Sequence, residues 1–177
     1  MVKKMWILSF FVIIFSCMST KNDYGMVRFK QSRFSIKPNN NQNYIQHIDT
    51  TVFYMAVHSK EFIKEYKLEN FKNGIKFYGN GKVGHFKGID FNNAASFNPK
   101  KATMGYYNYD GENFYVEYIY EIPGGTHKLA KSEIILRKSS TDTLIVKSFK
   151  SATSAEKITK YARMKIPVEA LNYKVDW

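Results

Sequence analysis

The chain contains one cysteine, four prolines and two tryptophans among 177 residues, and only 15 acidic side chains against 27 Lys and Arg. A lone thiol excludes an internal disulfide and every Cys-rich zinc or iron–sulfur site. The scarcity of proline, beside 44% apolar and 16% aromatic residues, excludes collagen-like and disordered chains, because that much apolar surface supports a packed core. The length fits one compact domain. Long hydrophobic runs are also missing. The one candidate, Met5–Ser16 (MWILSFFVIIFS), spans twelve residues with two serines. As a helix it reaches roughly 18 Å, short of a hydrocarbon core of about 30 Å.

That run follows Met1-Val2-Lys3-Lys4. A positive head and a short apolar stretch read as a signal peptide over residues 1–16. Ile14-Phe15-Ser16-Cys17 then sets an aliphatic residue, a tolerant position, a small residue and a cysteine in order. The tetrapeptide resembles the lipobox of bacterial lipoproteins. The resemblance implies a diacylglycerol on the Cys17 thiol, cleavage before Cys17 and acylation of the freed amine. Two or three acyl chains, at about 0.8 kcal/mol per buried methylene, hold a protein on a membrane far more firmly than one. It implies a membrane partner in the bacterial envelope, with the outer membrane favoured because the chain after Cys17 lacks the Asp that retains some lipoproteins in the inner one. The bland alternative is an incidental cysteine beside an uncleaved anchor helix.

Removing Lys3 and Lys4 with the leader leaves 25 basic and 15 acidic groups, a formal charge of +10. Residues 17–43 read as a lipidated N-terminus and a polar basic tether, in which Lys21, Arg28, Lys30, Arg33 and Lys37 face a lone Asp23. Such a segment is either solvated or leans on anionic headgroups. A pI of 9.6 suits nucleic acid, but export from the cytoplasm argues against that partner.

From Tyr44 to Trp177 the chain alternates β-branched or aromatic runs with turn signals. Eight strands are expected, at Ile48–Val57, Gly74–Tyr78, Lys82–Lys87, Ala102–Tyr109, Asn113–Ile122, His127–Lys138, Thr143–Lys150 and Ile158–Ile166. Asn80-Gly81 and Asp110-Gly111 suit type I′ hairpins, and short connections make sequential strands antiparallel neighbours. One short helix is expected between the first two strands, over Ser59–Tyr66. The fold class is therefore all-β: an eight-stranded antiparallel up-and-down barrel, since closure removes exposed edges, with a two-sheet sandwich as the alternative. Strand number, short hairpins and the closing Tyr161-Ala162-Arg163 strand are similar to lipocalin-like, calycin-type barrels, especially the small lipocalin-like lipoproteins of bacterial envelopes.

Catalytic motifs are few. Gly79-Asn80-Gly81-Lys82-Val83-Gly84 satisfies the dinucleotide fingerprint but is followed by no helical period, so a hairpin explains its glycines. Glu117 and Glu121 share one face of the fifth strand about 13 Å apart, beyond glycosidase spacing, and read as a solvated exterior. His47, His58, His85 and His127 form no metal-binding pair in sequence. No catalytic residue, metal or cofactor is expected, and a hydrolase survives only as a site assembled from several strands.

Alternation along the fifth strand points Phe114, Val116, Tyr118, Tyr120 and Ile122 inward. Its neighbour adds Met104 and Tyr106, or Gly105 and Tyr107, depending on register. Candidate ligand-binding residues are thus Tyr106, Phe114, Val116, Tyr118, Tyr120 and Ile122, with Ala130 and Ser132 leaving room beside them. An eight-stranded barrel is either filled by side chains or holds one small ligand, and both remain open. The hollow form suits a small hydrophobic or amphiphilic ligand. The filled form suits an interaction module that presents basic loops and Tyr107, Tyr109 and Tyr115 to an envelope protein or glycan.

Replacing Cys17 by serine is expected to abolish both cleavage and the added acyl mass. Intact-mass spectrometry of the membrane fraction decides it: a serine form that stays membrane-bound with the mass of the cysteine form, substitution apart, rules out the lipid anchor.

Overall fold

A computed structural model describes residues 19–38, 43–58, 63–64, 72–135, 143–148 and 157–177. Ten strands occur among them. A two-stranded antiparallel ribbon, β1 (Ser19–Lys21) and β2 (Val27–Phe29), precedes eight that close into a barrel. These are β3 (Phe53–Val57), β4 (Gly74–Phe77), β5 (Lys82–Phe86), β6 (Thr103–Tyr109), β7 (Phe114–Ile122), β8 (Thr126–Ile135), β9 (Thr143–Ser148) and β10 (Lys157–Met164). Every barrel strand pairs antiparallel with its sequence neighbour, and β10 returns to pair with β3. The topology is up-and-down, as the alternation and short turns require, and the sandwich is excluded. The helix expected over Ser59–Tyr66 lies outside the described residues except for Ile63 and Lys64, which are helical.

Turn chemistry sets the hairpins. Asn80 and Gly81 both take positive φ, 62° and 76°, the backbone of a type I′ turn that matches strand twist. Asp110-Gly111 closes differently: only Gly111 has positive φ, and the Asp110 carboxylate accepts from the N–H groups of Glu112 and Asn113. The first barrel strand begins later than expected, at Phe53. Asp49 accepts from both the N–H and the hydroxyl of Thr51, a local turn that competes with strand extension. The segment it bends, 44–52, folds across one end of the barrel with Tyr44, Ile48 and Val52 buried. Lys76 donates to Thr50 O at 2.6 Å, and its burial pushes the ammonium down to about 8 despite the nearby Asp49.

Residues 19–38 are folded onto the barrel, which moves the folded boundary well before Tyr44. Phe29, Phe34 and Ile36 form an outer cluster with Met104, Tyr106 and Ile119. Arg28 is buried there too. Its guanidinium pairs with Asp176 at 2.9 Å, donates to the carbonyls of Ala102, Pro99 and Lys100, and lies over the Trp177 ring. Glu117 does point outward as alternation demands, but it is fully buried instead of solvated. Ser35 N–H at 2.8 Å, Ile36 N–H at 3.1 Å and the Ser35 hydroxyl all donate to its carboxylate. The reason is that residues 19–38 lie as a strap over it, and three donors replace the water it loses.

Glu117→Ala strips these donors of their acceptor. The expected cost is about 2–3 kcal/mol, measured by urea unfolding, with faster tryptic cleavage after Lys30, Arg33 and Lys37 under native conditions. Glu117→Gln, which keeps one acceptor oxygen, is expected to lose less.

Candidate functional site

The barrel interior divides into two halves by side-chain size. Toward the end crossed by residues 44–52, Phe77, Tyr107, Phe114, Leu144 and Ile134 pack with Tyr44 and Ile48 into one core. Tyr107 stacks on Phe114 at 5.5 Å and meets Phe77 edge-on at 5.3 Å. Toward the other end the inward positions shrink: Tyr107 gives way to Gly105 and Thr103, Ile134 to Ser132 and Ala130, and Val146 to Ser148. A cavity of about 320 Å³ results.

Ile75, Val116 and Val146 supply apolar lining, while His85, Thr103, Ser132, Ser148, Tyr118 and Tyr161 supply polar groups. Among the described residues Lys87 is the one charged side chain of the lining, and no carboxylate occurs there. The Tyr118 ring crosses to Gly105, its cross-strand partner. A Cβ on Gly105 would sit 2.6 Å from that ring and 2.4 Å from Glu117 O, so only glycine lets the tyrosine lie there. The Tyr118 hydroxyl is buried without a hydrogen-bond partner among the described residues. Burial, with Tyr161 nearby, raises its pKa well above 10, and burial pushes Tyr161 up to about 12. Both phenols therefore remain protonated donors. His85 lies edge-on to Tyr118 at 5.9 Å. Burial, reinforced by Lys87, holds its imidazole down at about 4, so the ring is neutral at physiological pH.

Of the candidate ligand-binding residues, Val116, Tyr118 and Tyr120 line the cavity, as do Ala130 and Ser132. Phe114 belongs to the packed half, and Ile122 ends β7 half-buried outside the lining. Tyr106 faces outward and packs edge-on to Phe34 at 4.7 Å. The cause is register: Gly105 pairs with Tyr118 and Tyr107 with Val116, which places Gly105 and Tyr107 inside. Tyr107 is 0% exposed and Tyr109 9%, so neither is available as a surface aromatic. Tyr115 is half-buried, with the Lys131 ammonium 4.3 Å above its ring.

Sequence reading did not single out His85, Lys87, Tyr161 and Ser148 as one site. Alternation alone places each on its strand's inner face, but their meeting depends on pairing register. Among the described residues no cluster of potential metal ligands occurs. His47 packs on Tyr109, His127 on Phe29, and His58 contacts the Asn73 side chain. No family model matches the chain, and no curated protein or solved structure matches it significantly.

The His85 shift fixes a pH dependence. Between about 4 and 6.5 the unfolded chain binds a proton that the folded one refuses, so stability rises with pH across that window and falls on acidification. The effect reaches at most about 3 kcal/mol at the acid end. His85→Gln is expected to flatten this part of the curve, checked by urea midpoints from pH 4 to 7 in both proteins.

Proposed function

We propose that the protein is a non-enzymatic lipoprotein of the bacterial envelope, anchored through Cys17 with the outer membrane preferred, whose lipocalin-like barrel holds a small amphiphilic ligand. One observation carries the binding reading: the cavity half of the barrel contains a buried phenol donor, Tyr118, with no acceptor among the described residues. Leaving a buried donor unmet costs roughly 1–3 kcal/mol, and an acceptor atom of a ligand removes that cost. The ligand's apolar part rests on Ile75, Val116 and Val146, and its acceptor group reaches Tyr118, with Lys87 favouring an anionic end. The volume of 320 Å³ is at the lower edge of ligand pockets. At about 30 Å³ per water-sized group it has room for roughly ten such groups.

The neutral His85 and the two protonated tyrosines among the described lining residues suit recognition better than acid–base chemistry, which needs a group titrating near working pH. Native mass spectrometry of the processed protein is expected to show a co-purifying small molecule, and a fluorescent fatty-acid probe is expected to bind and be displaced. Ala130→Phe, which fills the cavity, is expected to weaken probe binding at least tenfold. Tyr118→Phe, which removes one hydrogen bond, weakens it about 3–10-fold. A clean spectrum together with no probe binding to the unaltered protein refutes the carrier reading.

A further inference from the structure

Ser19 opens β1 only two residues after Cys17. Covalent geometry therefore keeps an acyl-bearing Cys17 within about 7 Å of the folded body. The ribbon is firmly held: Ser19 pairs with Phe29, Arg28 is locked to Asp176, and the Asn22 amide donates to Lys100 O at 2.7 Å. An anchor mounted this way fixes which face of the barrel meets the membrane, whereas a long tether would leave every face free.

The face it selects is the cavity end. The Phe29 ring meets His127, on the β7–β8 hairpin, at 5.0 Å. Val27 and Phe29 line a crevice together with Lys87, Thr103 and Tyr120, three residues that also line the cavity. Around that crevice Tyr24, Tyr120 and Leu129 are 50%, 42% and 43% exposed. Lys87, Lys128 and, over the Tyr24 ring, Lys101 are exposed beside them, against Glu121 and an Asp23 paired with Lys100. Exposed tyrosine and leucine with several lysines is the chemistry of a headgroup layer, where aromatic rings seat at the interface and ammonium groups meet anionic lipid.

We propose that the barrel sits with its cavity end against an anionic bilayer surface, Tyr24, Tyr120 and Leu129 among the headgroups and Lys87 and Lys128 over lipid phosphates. A ligand then passes between bilayer and cavity without crossing open water. This orientation rests on the lipid-anchor reading.

The test uses the full chain, processed in cells and reconstituted into vesicles of phosphatidylcholine and phosphatidylglycerol. A fluorophore is placed at Leu129→Cys or, at the opposite end of the barrel, at Ile45→Cys, which is 55% exposed in the native chain. Headgroup-nitroxide lipids are expected to quench the Leu129 label several-fold more than the Ile45 label. Equal or reversed quenching overturns the orientation. A Lys87→Glu, Lys128→Glu variant is expected to stay vesicle-bound through its anchor while quenching at Leu129 drops several-fold; undiminished quenching overturns the charge pairing. Shielding of the Leu129 label in detergent as protein concentration rises, before lipid is added, identifies a second copy on this face and also overturns it. Intact mass separates the two readings. A chain without acyl groups refutes the anchor itself, whereas an acylated chain lacking the contrast between labels refutes the orientation alone.

Discussion

The ladder between β10 and β3, running from Lys160 opposite Val57 to Met164 opposite Phe53, is the constraint on which the rest of the structure depends. It turns a meander with two open edges into a cylinder with none. It also fixes parity, because in a closed sheet each strand must commit alternate residues to one side throughout. Tyr54 and Tyr161 then face the interior, while Phe53 and Met55 face out and must be covered. The covering comes from the segments after β5 and β10: Ile89, Phe97 and Ala170 bury the outer aromatic cluster around Phe53 and Phe86.

Within the cylinder, size order decides what is core and what is cavity. Large inner residues gather at the end with the tight hairpin turns, at Asn80-Gly81 and Asp110-Gly111, and small ones gather where the chain makes its longer excursion between β5 and β6. The packed half supplies stability by burying aromatic rings. The other half forgoes part of that packing, and there the Tyr118 hydroxyl finds no partner among the described residues. Departures of this kind from local consistency concentrate where a protein meets something else.

The fold was largely legible in the sequence, because a period of two, β-branched and aromatic runs and explicit turn dipeptides all agree. The inward set on β7 follows from alternation alone. What alternation cannot supply is register between strands, so Tyr106 was expected inside when its neighbour Tyr107 holds that place. The strap was harder still. Its buried residues Phe29, Phe34 and Ile36 follow neither a strand nor a helix period, and its partners lie far away in sequence: Met104 is 75 residues from Phe29, Glu117 82 from Ser35, and Asp176 148 from Arg28. A segment rich in Lys, Arg and Ser looks like a solvated linker until those distant partners are in place. Glu117 was misread for the same reason, since nothing local announces the cover above it.

One glycine separates two chromophores. On the inner side of Gly105 lies the Tyr118 ring, and its carbonyl accepts the indole N–H of Trp177 at 3.2 Å. Trp177 is also the only tryptophan beyond Trp6. In a chain lacking residues 1–16 the emission spectrum would come from a single indole, joined through one peptide unit to the wall of the cavity. The molecule thus carries a native optical gauge of its interior, with no label attached.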